Sequence, residues 1–156
     1  MCEVNKMIKL RPILATEYDD YRNYCVNDYG QELVQNYGYS LATAKEIAEK
    51  ELQRCFPNGV STQEHQLMCI THADDDGWLG YLWYNINTET SMAFIYDLYI
   101  TPDFRNLGYG SQALAQLEHH LKPQGIDELK LRVAYSNHQA LELYKRIGFN
   151  ITGYNM

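Results

Sequence analysis

The sequence predicts a mixed α/β (α+β) fold: a central, mostly antiparallel sheet flanked by helices, in the order β-α-α-β-β-β-α-β-α-β. Three observations predict it. Residues 65–73, 78–84 and 92–100 are apolar, strand-like runs joined by short polar turns, the pattern of an antiparallel meander. Four other stretches repeat their apolar residues at helical spacing. The third strand-like run is apolar almost throughout, as a central strand covered on both faces should be. It leads through a short loop into two glycines and a helix.

Residues 7–11 alternate, Ile8 and Leu10 one way and Lys9 and Arg11 the other, and Pro12 closes a short strand. Thr16 reads as an N-cap, with Tyr18, Tyr21, Cys25 and Tyr29 striping the helix behind it; Gly30 and Gly38 punctuate the segment after that stripe. Ser40 caps a second helix whose stripe is Leu41, Ala44, Ala48, Leu52 and Cys55, and Pro57-Asn58-Gly59 ends it. Asp74-Asp75-Asp76-Gly77 joins the first two meander strands. It lacks the further ligands of a calcium loop and reads as a solvated turn. Leu114, Leu117 and Leu121 stripe the third helix, and Pro123-Gln124-Gly125 stops it. Residues 129–135 alternate as a strand. Ser136 with Gln139 has the capping-box spacing, and Ala140, Leu143, Tyr144 and Ile147 stripe the fourth helix, with Gly148 just past its end. Residues 149–154 read as a last short strand.

With 156 residues and no linker or repeat, residues 1–156 read as one domain. Twenty acidic against 13 basic residues give a net charge of −7. That argues against a nucleic-acid or membrane-surface partner and favours a cationic substrate. Cys2, Cys25, Cys55 and Cys69 form no C-x-x-C pair, so no disulfide or zinc framework is expected. His119 and His120 are adjacent on a helix and do not share a face, and no metal is expected. No leader or long apolar segment is visible, and the chain reads as cytoplasmic. Fourteen tyrosines suit half-buried grooves and interfaces, including that of a homodimer.

The stretch Arg105, Asn106, Leu107, Gly108, Tyr109, Gly110, Ser111 joins the central strand to the third helix. Glycines there let backbone pass close to a ligand, and the free N–H groups at a helix start, at the positive end of its dipole, suit a phosphate or pyrophosphate. Arg105-x-x-Gly108-x-Gly110 resembles the pyrophosphate loop of the GNAT superfamily of acetyl-CoA-dependent N-acetyltransferases. Thr101-Pro102-Asp103-Phe104 is similar to the turn before that loop, and Trp78-Leu79-Gly80-Tyr81 to the family's glycine-containing third strand. Asn137, Ala140, Leu143-Tyr144 and Gly148-Phe149 resemble its C-terminal cofactor motif. The matches cover residues 77–149; the two N-terminal helices fit by position alone. Many members carry a longer strand pair after the last helix than residues 150–156 provide.

The resemblance implies the GNAT fold and an enzyme that moves an acetyl group from acetyl-CoA to a primary amine, on a small molecule or a peptide, by direct attack. It implies that backbone groups of Leu98, Tyr99 and Ile100 pair with the pantetheine arm. Loop amides from Arg105 to Ser111 would hold the pyrophosphate, Asn137 would lie where the fifth strand splays from its neighbour, and Tyr144 would donate to the departing thiolate. Asn137 and Tyr144 also have plain structural roles open to them, as a helix cap and a core aromatic. A base is needed as well, because a lysine-like amine is almost wholly protonated at pH 7. Asp97, a carboxylate inside an apolar strand, is one candidate; Tyr96, Glu64, His65 and His72 are others, and proton loss through water would need none. Two rivals stand beside this reading. One is a non-catalytic acyl-CoA-binding module. The other is a dinucleotide-binding protein, since Gly108-x-Gly110-x-x-Ala113 also satisfies G-x-G-x-x-G/A.

Overall fold

In the computed structural model, which describes residues 7–62, 64–133 and 137–153, five strands form one sheet. They are β1 (Ile8–Pro12), β2 (His65–His72), β3 (Trp78–Asn87), β4 (Met92–Ile100) and β5 (Glu128–Leu131), side by side in that order. Neighbours from β1 to β4 run antiparallel, and β5 lies parallel to β4. The sheet is therefore mixed and mostly antiparallel, as the turn spacing predicts. Pro12 pairs opposite Met68 on the edge strand, where a missing N–H costs nothing in the ladder.

The helices are α1 (Tyr18–Tyr37), α2 (Leu41–Cys55), α3 (Tyr109–Leu121) and α4 (His138–Arg146). They divide between the two faces of the sheet. Ala113, Leu114, Leu117 and Leu121 of α3 pack with Ile8, Ile70, Leu79, Leu82, Ala93 and Ile95 on one face. Tyr21 and Val26 of α1 and Ala48, Leu52 and Cys55 of α2 pack with Cys69, Tyr81 and Trp83 on the other. A central sheet covered on both sides explains why β3 and β4 read as nearly unbroken apolar runs.

Several expectations need correction. Thr16 does not cap α1. A short 3-10 turn, Ala15–Glu17, precedes the helix, and Glu17 takes the Leu14 N–H at 2.8 Å and both guanidinium N–H groups of Arg11 at 2.9 Å. Those Arg11 bonds hold the Glu17 carboxyl down at about 2. Gly30 does not break the chain; α1 runs through it to Gly38, which takes the left-handed cap. Its role is close packing, since a Cβ there would lie 3.4 Å from Lys45 Cγ on α2. Ser40 does cap α2, accepting from Thr43 N–H, but Leu41 turns outward. Ile147 likewise ends α4 exposed rather than joining its stripe. The strand expected over residues 129–135 is found as Glu128–Leu131, and residues 134–135 lie outside the described residues. So does Ser136; the cap of α4 is Asn137, whose side chain accepts from Ala140 N–H at 3.2 Å. No strand forms over residues 149–153, and Tyr154 lies outside the description. Three polar or small residues in that short tail, Asn150, Thr152 and Gly153, give an edge strand little to bury.

The acidic turn after β2 is a turn, with the Gly77 N–H donating to Asp75 and Asp76 pairing with Lys9 and Arg11 of β1. Cys25, Cys55 and Cys69 are free thiols.

Gly80 is the tightest glycine. The β2–β3 register shifts beside it, and a Cβ built there would lie 1.8 Å from the Tyr99 carbonyl oxygen of β4. Backbone cannot yield as a side-chain tip can. Gly80→Ala is therefore expected to cost about 3 kcal/mol, the upper end for overpacking, read as a lower urea midpoint at unchanged slope. A wild-type midpoint would contradict this close approach.

Candidate active site

The site is built where β4 leaves β5. Their pairing runs from Met92↔Glu128 to Ile95↔Leu131 and, among the described residues, ends there. On the opposite side of β4 the register with β3 shifts at the same point, from Trp83↔Asp97 to Tyr84↔Ile95. Tyr96 is thus the extra residue of a β-bulge, which bends a strand and re-aims its side chains. Before the bulge, Ala93 and Ile95 face the α3 side. After it, Asp97 faces α1, where it meets the same helix that covers Tyr81 and Trp83.

The bulge leaves an open stretch of backbone. Thr101 N–H donates to the Leu79 carbonyl, so by the alternation of an antiparallel ladder Tyr99 also turns its backbone groups to β3. Those of Leu98 and Ile100 then face the side β5 has left. The Ile100 carbonyl accepts from Arg105 Nε at 2.7 Å, and the Arg105 guanidinium lies 5.4 Å from the centre of the Tyr99 ring.

The loop makes two left-handed turns, at Asn106 (φ 63°) and Gly108 (φ 88°), on either side of an exposed Leu107. Glycine is the residue that adopts this conformation without strain. Gly108 is the N-cap of α3, and no side chain caps that end. The N–H groups of Tyr109, Gly110 and Ser111, in the first turn, have no carbonyl four residues back within the helix and point out along its axis. The Tyr109 ring is buried against His72 and Phe104, anchoring the turn from below. Gly110 packs under α4, where a Cβ would meet Leu143 Cδ2 at 3.4 Å.

Asp97 is held by two phenols: Tyr21 donates to Oδ2 at 3.0 Å and Tyr24 to Oδ1 at 3.2 Å. Burial pushes its carboxyl up to about 7, against the pull of those two bonds; Asp28 and Glu32 push the same way as burial. Tyr144 sits on α4, half-buried against the α3-side core. Burial, and behind it the Asp97 carboxylate, push its phenol up to about 12, so it stays protonated at neutral pH. The end of α4 fixes that side chain. Phe149 N–H donates to the Tyr144 carbonyl and Gly148 N–H to that of Lys145, with Gly148 at φ 114° and the Phe149 ring 5.7 Å from Tyr144. This is a Schellman stop with its apolar contact.

Of the other candidate bases, Tyr96 is stacked on Trp83 and Glu64 is exposed. His65 accepts from Trp83 Nε1 at 3.0 Å, and burial lowers its basicity. His72 lies on the α3 face, against Phe104 and Tyr109. The structure thus gathers Asp97, Leu98, Tyr99, Ile100 and Arg105 around the parting of β4 and β5, and places Tyr144 of α4 against the core on the α3 side. Asn137 enters as the cap of the helix that carries Tyr144.

Tyr21 and Tyr24 are the residues that sequence reasoning passes over. A signal existed: a lone carboxylate in an apolar strand demands buried donors, and two tyrosines three apart on one helix face can supply them. Beside them an open cleft of about 400 Å³ is lined by Tyr24, Asn27, Asp28, Gln31, Tyr99 and Arg105. Among the described residues no group of three or more His, Cys, Asp or Glu side chains is placed to hold a metal ion, and no helix is long and apolar enough to cross a membrane.

A mixed sheet that parts beside a glycine-led helix with no side-chain cap is the layout that the sequence's resemblance implies. The chain belongs to the acetyltransferase (GNAT) family, whose model matches residues 18–149. It is similar to YycN, an uncharacterized N-acetyltransferase of Bacillus subtilis (strain 168): 31% identical over 147 residues, 93% of this chain and 94% of that one. The crystal structure of YycN superposes with a TM-score of 0.89 at 30% identity, covering 96% of each chain. A PaiA N-acetyltransferase from Thermoplasma acidophilum, solved in complex with coenzyme A, shares the fold at 17% identity, with a TM-score of 0.71 over 95% of this chain and 92% of that one. Family membership sets aside the dinucleotide reading of Gly108 and Gly110.

Proposed function

We propose that this chain transfers an acetyl group from acetyl-CoA to a primary amine by direct attack, the amine and acetyl-CoA being bound together. One observation carries the reading. Just past the end of the β4–β5 pairing a half-buried carboxylate, Asp97, held by Tyr21 and Tyr24, lies on one face of the sheet, and a protonated phenol, Tyr144, packs on the other. A base on one side and a proton donor on the other are what amine attack on a thioester requires.

The chain's own groups fit acetyl-CoA. The backbone of Leu98 and Ile100 faces the side β5 has left, an edge for a pantetheine arm as a sheet edge accepts a peptide, with the Ile100 carbonyl already taking the Arg105 Nε–H. The first-turn amides of α3, from Tyr109 to Ser111, face where a pyrophosphate would rest, and Gly110 lets α4 pack close to that turn through Leu143. Asn106, Leu107 and Gly108 shape the turn, and Arg105 is within reach of the same mouth. Asn137 holds the start of α4 and so the approach of Tyr144. When bound, acetyl-CoA supplies an acyl group on a good leaving sulfur. Asp97, with its carboxyl near 7, takes a proton from the amine, and Tyr144 gives a hydrogen bond or proton to the departing sulfur.

The test is an acceptor screen with acetyl-CoA that monitors free thiol. The panel holds a short alkyl amine, a polyamine, an aminoglycoside and a peptide with a free N-terminus. At least one should release thiol well above the rate in buffer alone. No release with any of them, from protein that binds acetyl-CoA, would contradict the reading.

A further inference from the structure

We infer that Tyr24 is the group through which Asp97 takes the acceptor's proton, with Tyr21 as its buried counterpart. The inference rests on the reading of Asp97 as the base and adds how that base reaches the amine. Tyr24 lines the cleft, whereas Asp97 is not among the lining residues. The two are joined by the Tyr24 hydroxyl, which donates to Asp97 Oδ1 at 3.2 Å. A phenol that gives its hydrogen to a carboxylate keeps oxygen lone pairs free to accept another. An ammonium in the cleft can donate to those lone pairs.

The two phenols are not equivalent. Tyr21 is 0% exposed, so its bond to Oδ2 holds and tunes the carboxylate without reaching the cleft. Tyr24 is held by rings on three sides: Tyr99 at 4.3 Å and Tyr21 and Tyr81 at 5.6 Å each. That clamp keeps its hydroxyl aimed at Asp97 while one edge stays open to the cleft. Asp28 also lines the cleft, with Arg105 as its opposite charge.

The step balances without any co-reactant. An N–H bond of the ammonium breaks as an O–H bond forms on Tyr24; the original Tyr24 O–H breaks as one forms on Asp97 Oδ1. The ammonium becomes a neutral amine, the phenol is regenerated and the carboxylate becomes an acid. Tyr24 carries no charge at rest, since burial and Asp97 hold its phenol far above the ordinary range. Besides burial, the groups that set the Asp97 titration are Tyr21, Tyr24, Asp28 and Glu32 of α1, with Arg105 acting on Asp28 and Arg132 on Glu32; Cys25 of α1 and Tyr144 of α4 also feel the carboxylate, which raises both.

Tyr24→Phe and Tyr21→Phe test this, using the fastest amine of the acceptor panel. Wild-type kcat/KM should rise with pH through a limb near 7. Tyr24→Phe should lose about 10- to 100-fold at pH 7, lose that limb, and climb instead toward the amine's own pKa, regaining rate where free amine is abundant. Tyr21→Phe should keep the limb, moved to higher pH. A Tyr24→Phe enzyme with the wild-type rate and limb overturns the relay. If Asp97→Asn loses the limb while Tyr24→Phe keeps it, the relay alone falls; if both keep it, Asp97 is not the base. A second measurement needs no acceptor: the Asp97 carboxyl band tracked by infrared titration, with Asp97→Asn as the blank. It should move to higher pH in both tyrosine variants. An unmoved band in Tyr24→Phe removes the hydrogen bond on which the relay depends.

Discussion

Asp97→Asn is expected to fold, to lose about 100- to 10,000-fold in kcat/KM at pH 7, and to hold its stability better than wild type as pH rises. The rate loss comes from removing the side chain at the parting of β4 and β5 whose carboxyl sits near 7, the value at which a base is both free and strong enough to take a proton. The stability effect has the opposite sign. A carboxyl raised from 3.8 to about 7 binds more protons in the folded protein than in the unfolded chain between those values. Its contribution therefore falls as pH rises through that window and stays low above it. Asn cannot ionise, so the variant should not share that loss. Urea midpoints at pH 4 and pH 8 check it: the gap between the variant and wild type should move in the variant's favour at pH 8. A variant with full activity removes Asp97 as the base. One that loses as much stability as wild type between those pH values removes the strained carboxylate.

Tyr144→Phe keeps the ring and its contact with Phe149 and deletes only the hydroxyl. It should leave acetyl-CoA affinity roughly intact and lower kcat by about ten- to a thousandfold, the smaller losses reflecting that a thiolate leaves fairly well unprotonated. Stability should change by no more than a modest hydrogen-bond contribution, about 1 kcal/mol. If Tyr144 is only a core aromatic, that small stability change is the whole effect and kcat is unchanged. Steady-state rates with a thermal melt beside them separate the two. An unchanged kcat in folded protein, with chemistry limiting, takes Tyr144 out of the mechanism.

The features legible in the sequence were local. The meander came from turns at 74–77 and 87–91, the α2 stripe from Ala44, Ala48 and Leu52, and the stop of α4 from Gly148. Each rests on periodicity or backbone preference over a few neighbouring residues. The features that stayed hidden depend on contacts far apart in the chain. Tyr21 and Tyr24 meet Asp97 across 76 and 73 residues. Nothing in a helical stripe says which tyrosine will turn its hydroxyl to a strand. The bulge at Tyr96 is a mismatch between two strands and leaves no mark in either alone. Gly30 misled because its helix-breaking tendency is a weak local cost, outweighed here by the close packing of α1 on α2. The last strand read over residues 149–154 does not form over 149–153, because pairing needs a partner and a face to bury.

The central claim, that the loop before α3 and the open edge of β4 hold acetyl-CoA, is tested most directly by thermal melts with acetyl-CoA and, separately, with NADH. A ligand bound only by the folded state raises the melting temperature by mass action. Acetyl-CoA should raise it for the wild type and NADH should not. Gly110→Val should lose most of that rise, because its branched side chain stands between Leu143 and the first turn of α3. Stabilisation by NADH without stabilisation by acetyl-CoA would contradict the account.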